Sequence, residues 1–131
     1  MKRTYPIVLS PESGGYAVYI PDFDVNTQGN DLTEAIEMAR DAIGLLGIDM
    51  EDDNKLLPLP RKIADVEAGT DDIVSLVDVD FGEYRRMNDL RTVRKNCTLP
   101  SWLCYRAEQA NINFSQVLQS ALKQELRISG E

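Results

Sequence analysis

The last forty residues contain one predicted strand and two predicted short helices, and this combination limits how the segment can fold. The strand is predicted over residues 91–99, where Val93, Cys97 and Leu99 share one face. A lone strand has unpaired backbone groups on both edges, and two short helices bury too little surface to offset the entropy of ordering the segment. We therefore expect two copies to pair their strands antiparallel and to close one shared core with four helices.

Two local signals delimit the predicted helices. Pro100 is suited to a helix start, and the first helix is predicted from Ser101 to Ala110. Asn111 lies where the chain must reverse, because asparagine tolerates the left-handed conformation. Asn113 begins a second helix with the spacing of a capping box and a broad apolar face. The predicted shared core contains Val93, Cys97, Leu99, Leu103, Phe114, Val117, Leu118 and Leu122.

The other face of the predicted strand carries side chains that suit DNA bases. Arg94, Asn96 and Thr98 share this face, and arginine, asparagine and threonine can recognise guanine, adenine and thymine in the major groove. A two-stranded ribbon also fits the width of that groove. We predict that these three residues contact bases. The alternative is that the polar face is merely solvated and that the helices form a plain dimerisation module.

This strand, proline, helix, turn and helix arrangement resembles the ribbon-helix-helix repressors over roughly residues 91–128. The resemblance rests on residues 94–103 and 113–118. It implies an intertwined dimer whose second helices present their first backbone amides to DNA phosphates. By this analogy, the predicted phosphate contacts are Asn113, Phe114 and Ser115.

Charge divides the chain into two parts. The whole chain has a net charge of −8, which alone would argue against binding a polyanion. Residues 1–80 hold 17 acidic and 6 basic side chains, net −11, whereas residues 81–131 hold 5 and 8, net +3. We therefore predict an acidic domain over residues 1–80, a linker that is helical in part over residues 81–90, and a basic domain over residues 91–131.

The acidic part has the pattern of a small α+β domain. Residues 3–10 and 16–20 predict an antiparallel hairpin around a turn at residues 11–15, and a further short strand is expected near residues 25–27. Pro6 lacks an amide hydrogen, which suggests that the first strand lies at a sheet edge or beside a bulge.

The rest of this domain is predicted to supply one main helix and one further strand. Residues 31–34 have capping-box spacing, and the helix is expected to end at Gly47. Residues 51–55 read as an acidic loop, and residues 61–69 as one or two helical turns. Residues 73–79 are rich in β-branched side chains and predict a central strand of the same sheet.

Composition argues against several classes of protein. The chain has no histidine, which removes the commonest general base. Cys97 and Cys104 are the only cysteines, and we expect two buried thiols rather than a disulfide scaffold or a zinc site. No apolar run is long enough to span a membrane, and the start lacks a signal-peptide pattern. We expect a cytoplasmic protein without a metal or other cofactor.

Two stretches of the acidic part resemble the HicB antitoxins of bacterial toxin-antitoxin pairs. They are Gly-Tyr-Ala-Val-Tyr-Ile-Pro-Asp-Phe-Asp at residues 15–24 and Thr-Gln-Gly-Asn-Asp-Leu-Thr-Glu-Ala at residues 27–35. The family pattern is a strand ending in Pro-Asp, a Thr-x-Gly-Asp step and a Glu-Ala helix. One branch of the family carries a ribbon-helix-helix tail, so the resemblance covers the whole chain. Many members have Pro-Gly where this chain has Asp24 and Val25.

The resemblance implies both a fold and a partner. The fold is a degenerate, partial ribonuclease-H-like domain that has lost its nuclease chemistry. The partner is a HicA toxin, a small RNA-cleaving protein with a basic surface, for which an acidic domain can compete with RNA. The expected toxin contacts, placed near the end of the hairpin, are Glu12, Tyr16, Asp22, Phe23 and Asp24. The alternative is that Tyr16 belongs to the core and that Asp22 only shapes a turn.

Carboxylates are the remaining candidates for catalysis. A two-metal nuclease needs converging carboxylates, typically with one on the first strand, but residues 3–10 contain none. A weak cation site could use acidic residues on the helix and on the last strand, which are usually just solvated: Glu34, Glu37, Asp41, Asp78 and Asp80. We therefore expect no enzymatic activity.

The leading hypothesis is an antitoxin that binds its toxin through residues 1–80 and represses its own operon as a dimer through residues 91–128. The alternative is a stand-alone repressor whose acidic domain senses a small ligand. A neighbouring reading frame for a short basic protein would favour the first hypothesis. An enzyme ranks third and would require a cation-dependent nuclease activity.

Overall fold

The computed structural model describes residues 1–128, and their contacts divide the chain into two compact units, Met1–Arg91 and a second that begins at Thr92. The first unit has the mixed α+β architecture that the sequence predicted. Its sheet is wholly antiparallel, with the strand order β3-β2-β1-β4. The strands are β1 (Lys2–Glu12), β2 (Gly15–Ile20), β3 (Val25–Gly29) and β4 (Ile73–Asp80), and the helices are α1 (Leu32–Asp52) and α2 (Phe81–Met87).

The predicted hairpin and third strand are confirmed. β1 pairs with β2 from Val8 opposite Tyr19 to Glu12 opposite Gly15, which leaves a two-residue turn. Gly14 in that turn has a φ of +84°, a conformation that favours glycine. Tyr5, Ile7 and Leu9 on β1 are fully buried, as their alternation predicted.

Two predictions about strand position are wrong. Pro6 suggested a strand at the sheet edge or beside a bulge, but β1 lies inside the sheet between β2 and β4, and its pairing with β4 continues without interruption through Pro6. The proline is tolerated because the β1–β2 ladder begins only at Val8, so no partner on that side needs an amide hydrogen at Pro6. Conversely, β4 was predicted to be central and is an edge strand, with Ile73 and Leu76 exposed by 40% and 50%. Its β-branched residues favour a strand but do not fix its neighbours.

The main helix begins as predicted and ends later than predicted. Asp31 accepts a hydrogen bond from the Glu34 amide at 2.8 Å, and Glu34 in turn accepts one from the Asn30 amide at 3.0 Å. The helix does not end at Gly47 but continues to Asp52, which takes two residues of the predicted acidic loop into α1. Gly47 is an interior position where a side chain would meet the ring of Phe81.

The helix α2 packs against α1 and completes the core of the first unit. Phe81 and Tyr84 are both buried, within the stretch of residues 81–90 for which a partly helical linker was expected. The Tyr84 hydroxyl donates a hydrogen bond to Asp41 on α1. Between α1 and β4 the only helical element is a single 3₁₀ turn, Ile63–Asp65, where one or two helical turns were expected.

The second unit contains two helices, α3 (Ser101–Gln109) and α4 (Phe114–Glu125), close to the predicted limits. Asn111 has the expected left-handed backbone, with a φ of +56°. Cys97 is exposed and Cys104 is half-buried in the single chain, so the prediction of two buried thiols is wrong for one copy alone. Within residues 1–128, no helix combines the length and the hydropathy of a membrane span.

Candidate functional site

The predicted base-contacting residues lie on an exposed segment of the second unit. Arg94, Asn96 and Thr98 fall within residues 88–100, which form neither helix nor strand in the single chain. All three side chains are exposed to solvent. One copy therefore presents these side chains but does not order them on one face of a strand.

The two helices of the second unit expose their apolar side chains. No residue of α3 or α4 is buried, and Leu118 and Leu122 are 40% and 51% exposed. We call the exposed set the tail apolar face, and it consists of Leu103, Phe114, Val117, Leu118 and Leu122. An apolar face of this kind is typical of a surface that a partner covers.

The start of α4 has a side-chain cap. The Asn113 side chain accepts a hydrogen bond from the Gln116 amide at 3.1 Å, as the capping pattern predicted. Phe114 and Ser115 follow in the first turn and are exposed. The first amides of a helix have no partner within the helix, so this end has donors available for an anion.

The predicted toxin contacts fall into two groups rather than one. Glu12 and Tyr16 flank the β1–β2 turn. Asp22, Phe23 and Asp24 follow β2 at its other end. Tyr16 and Asp22 are six positions apart, with the rest of β2 between them, which is roughly 20 Å along an extended chain. The expectation that all five lie near one hairpin end is wrong, because β2 runs the length of the sheet between them.

Residues 22–24 form a tight turn with mostly internal partners. The Asp22 side chain is only 4% exposed and is paired with the Arg61 guanidinium at 3.0 Å. The Phe23 ring packs edge-on to Tyr5, with ring centroids 5.1 Å apart. Asp24 has a φ of +51° and accepts a hydrogen bond from the Tyr19 hydroxyl at 2.8 Å, which raises the pKa of Tyr19. Of the three residues, Asp24 is the most available to a partner.

Sequence reasoning missed a set of contacts that fixes residues 57–61 beside this turn. The Tyr5 hydroxyl donates to the Pro58 carbonyl at 2.8 Å, and the Arg3 guanidinium donates to the carbonyls of Leu57 and Pro58. The Arg61 amide and guanidinium bind Asp22. The partners are about forty to fifty-five residues apart in sequence, so no local pattern could have revealed them.

Four of the five candidate cation ligands are engaged with nearby groups, and the fifth, Glu37, is exposed. Glu34 belongs to the cap of α1, and Asp80 accepts from the Glu83 amide at the start of α2. Asp78 pairs with the Arg40 guanidinium at 3.3 Å, and Asp41 accepts from Tyr84. Over residues 1–128, His, Cys, Asp and Glu side chains form no group of three or more that could hold a metal ion.

Taken together, the fold is that of a mixed α+β protein in two compact units, an acidic one built on a four-stranded antiparallel sheet and a helical one with an uncovered apolar face. Residues 5–125 match a family described as the HicB-like antitoxin of bacterial toxin-antitoxin systems. The chain belongs to this family, which confirms the resemblance seen in its sequence.

Curated relatives match the chain over part of its length. Antitoxin HicB 1 of Photorhabdus laumondii is 45% identical over 61 residues, which are 45% of this chain and 39% of that protein. Antitoxin HicB of Escherichia coli K12 is 44% identical over 62 residues, which are 45% of this chain and 44% of that protein. The match therefore spans about two fifths of the length of each relative.

Solved structures match nearly the whole chain. A toxin-antitoxin complex from Streptococcus pneumoniae contains a chain with a TM-score of 0.61 and 26% identity, aligned over 95% of this chain and 99% of that one. The antitoxin HicB of Burkholderia pseudomallei has a TM-score of 0.51 and 20% identity, over 97% and 98%. The second likeness shows similarity of fold alone.

Proposed function

We propose that this antitoxin neutralises a HicA-type, mRNA-cleaving toxin by direct binding through its acidic domain, residues 1–80, and represses its own operon through a dimeric ribbon-helix-helix domain, residues 91–131. The observation that carries the proposal is the tail apolar face, which one copy leaves uncovered beside a basic segment. An apolar surface of this kind needs a partner, and the basic segment suits a polyanion.

Dimerisation is supported by the absence of a strand in residues 91–99 and of buried residues in α3 and α4 of the single chain. Residues 88–100 have no secondary structure, and the helices that follow them bury none of their own residues. In the proposed dimer, two copies of residues 91–99 pair as an antiparallel ribbon, and α3 and α4 of both copies enclose a common core. The entropy of ordering the segment is then offset by apolar burial that no single copy provides.

Operator binding is supported by residue type and charge. In the proposed ribbon, Arg94, Asn96 and Thr98 point toward base edges. The start of α4, which the Asn113 side chain caps, leaves the amides near Phe114 and Ser115 available, and we propose that they bind a phosphate. Residues 81–131 carry a net charge of +3 although the chain as a whole is acidic, which favours this end for DNA.

Toxin binding is supported by the negative charge of residues 1–80 and by the family to which the chain belongs. Residues 1–80 carry a net charge of −11, which suits an RNA-cleaving partner whose surface attracts RNA. The similar chain from Streptococcus pneumoniae comes from a structure described as a toxin-antitoxin complex. We propose Glu12, Tyr16, Asp22, Phe23 and Asp24 as toxin contacts, with Asp24 the most accessible of the second group.

Co-expression with the product of the adjacent gene tests the proposal. We expect the tagged chain to retain a short basic protein through purification and to restore growth to cells that express that protein. The purified chain should also shift a DNA fragment that contains its own promoter. Failure to retain the protein together with failure to restore growth would contradict the antitoxin function, and a shift of promoter DNA alone would favour a stand-alone repressor.

A further inference from the structure

We propose that the outer edge of β4 is a docking site for an extended, basic strand of the toxin, which would add a fifth strand to the sheet. This inference rests on the proposed function, since it names the toxin as the partner. It places one toxin contact at a sheet edge, away from both groups of residues singled out by sequence.

The pairing of β1 and β4 determines which backbone groups point outward. The Phe81 amide donates to the Met1 carbonyl at 3.0 Å and so continues the ladder at odd-numbered positions of β4. Leu76 lies opposite Pro6, which has no amide hydrogen and cannot exchange two hydrogen bonds with it. Because hydrogen-bonding direction alternates along an antiparallel strand, the amide and carbonyl groups of Val74, Leu76 and Asp78 face away from β1.

A contact from α1 closes one end of this outer edge. The Arg40 guanidinium donates to the Asp78 carbonyl at 3.0 Å and pairs with the Asp78 carboxylate at 3.3 Å. In the part of the chain that the structure describes, no strand pairs with the outer side of β4. The backbone groups of Val74 and Leu76 therefore form a short open window at the edge.

The side chains around the window favour β4 over the other edge of the sheet. Leu76 is 50% exposed and Ile73 is 40% exposed, so an added strand would gain apolar contacts as well as backbone hydrogen bonds. The outward positions of β3 hold Asn26 and Gln28 instead, and both side chains are polar and exposed. An added strand would gain little apolar contact there.

Charge selects a basic strand over a second copy of this chain. Asp71 and Asp72 precede the strand, and residues 1–80 carry a net charge of −11. Pairing two β4 edges would bring two such acidic domains together, which like-charge repulsion disfavours. Asp78 is already paired with Arg40 and adds little to this preference. A partner strand with lysine or arginine near Asp71 and Asp72 would form favourable pairs instead.

A proline substitution tests the window with two matched controls. Leu76→Pro removes an outward amide, which an edge strand tolerates, together with the leucine side chain, whereas Leu76→Thr removes the leucine side chain and keeps the amide. Asn26→Pro removes the equivalent outward amide on β3. We expect Leu76→Pro to weaken binding of the co-expressed toxin by about tenfold or more, Leu76→Thr to weaken it less, and Asn26→Pro to leave it unchanged.

The outcomes separate this inference from the proposed function. If the unaltered chain fails to bind the toxin, the proposed function fails. If the unaltered chain binds and Leu76→Pro binds equally well, the docking site is overturned.

Hydrogen exchange on the complex of the unaltered chain with the toxin covers the case in which Leu76→Pro does not fold. The amides of Val74 and Leu76 should exchange more slowly in the complex than in the free chain, with Asn26 and Gln28 unchanged. Equal exchange at Val74 and Leu76 in both states, or slow exchange already in the free chain, would contradict the inference.

Discussion

Gly44 and Gly47 let α2 lie directly against α1. A Cβ atom built on Gly47 would stand 2.2 Å from the Phe81 ring, and one built on Gly44 would stand 2.5 Å from the Tyr84 ring. Sequence reasoning placed the end of the helix at Gly47 because glycine commonly ends helices. The actual reason for the glycine is an aromatic ring more than thirty residues away in sequence, which no local pattern contains.

The first prediction concerns this close approach. Gly47→Ala should lower the free energy of unfolding by about 1 to 3 kcal/mol, because overpacking against Phe81 outweighs the helix propensity that alanine gains, about 1 kcal/mol. Glu37→Ala, at an exposed position of the same helix, should change it by less than about 0.5 kcal/mol. Urea unfolding of both variants measures the difference. A Gly47→Ala variant at least as stable as the unaltered chain would refute this packing.

The second prediction concerns the hydrogen bond from Tyr84 to Asp41. Burial and this bond to a carboxylate raise the pKa of Tyr84 above its usual value of about 10. The folded state therefore retains the proton that the unfolded state releases, so this contribution to stability is complete below about pH 10 and declines as the pH rises further. Tyr84→Phe should show a smaller loss of unfolding free energy between neutral and alkaline pH. Urea unfolding at each pH measures this loss. Equal losses of unfolding free energy in the unaltered chain and in Tyr84→Phe would contradict the prediction.

At the scale of elements, the sequence correctly predicted the features that depend on residues close together in the chain. The hairpin, the cap at Asp31, the reversal at Asn111 and the helix start at Asn113 are all set within a few residues and were all confirmed. The position of β4 was not predictable, since periodicity identifies a strand without identifying its neighbours. The same limit applied to the predicted toxin contacts, which the length of β2 divides into two groups.

The third prediction concerns the tail apolar face. Leu118→Asp should abolish dimerisation, because a buried and unpaired carboxylate costs several kcal/mol. Gln119→Asp is a matched control, since it adds the same charge to α4 outside this face. Sedimentation of both variants measures the oligomeric state. If Leu118→Asp remained a dimer through this segment, the proposed ribbon-helix-helix arrangement would be wrong.

At the scale of the whole molecule, the net charge changes sign between the two parts of the chain. The first 80 residues have a net charge of −11 and the remainder a net charge of +3, and the chain forms two compact units. Sequence alone could identify the change in charge, because it depends on composition rather than on contacts. We therefore expect the two proposed activities to be separable by substitution.

The fourth prediction follows from that separation. Asn96→Ala should remove a potential bidentate contact to a base, worth about 1 to 3 kcal/mol, and a dimer presents the residue twice. Operator affinity should fall by about tenfold or more. Folding, dimerisation and toxin neutralisation should be unaffected, because Asn96 is exposed and outside the acidic domain.

A titration of promoter DNA with the unaltered chain and with Asn96→Ala, read beside growth of toxin-expressing cells, tests the central claim most directly. We predict that Asn96→Ala loses operator affinity and restores growth as fully as the unaltered chain. Loss of both growth rescue and DNA binding would show that the basic end also acts on the toxin. An unchanged operator affinity would show that Asn96 does not face the DNA.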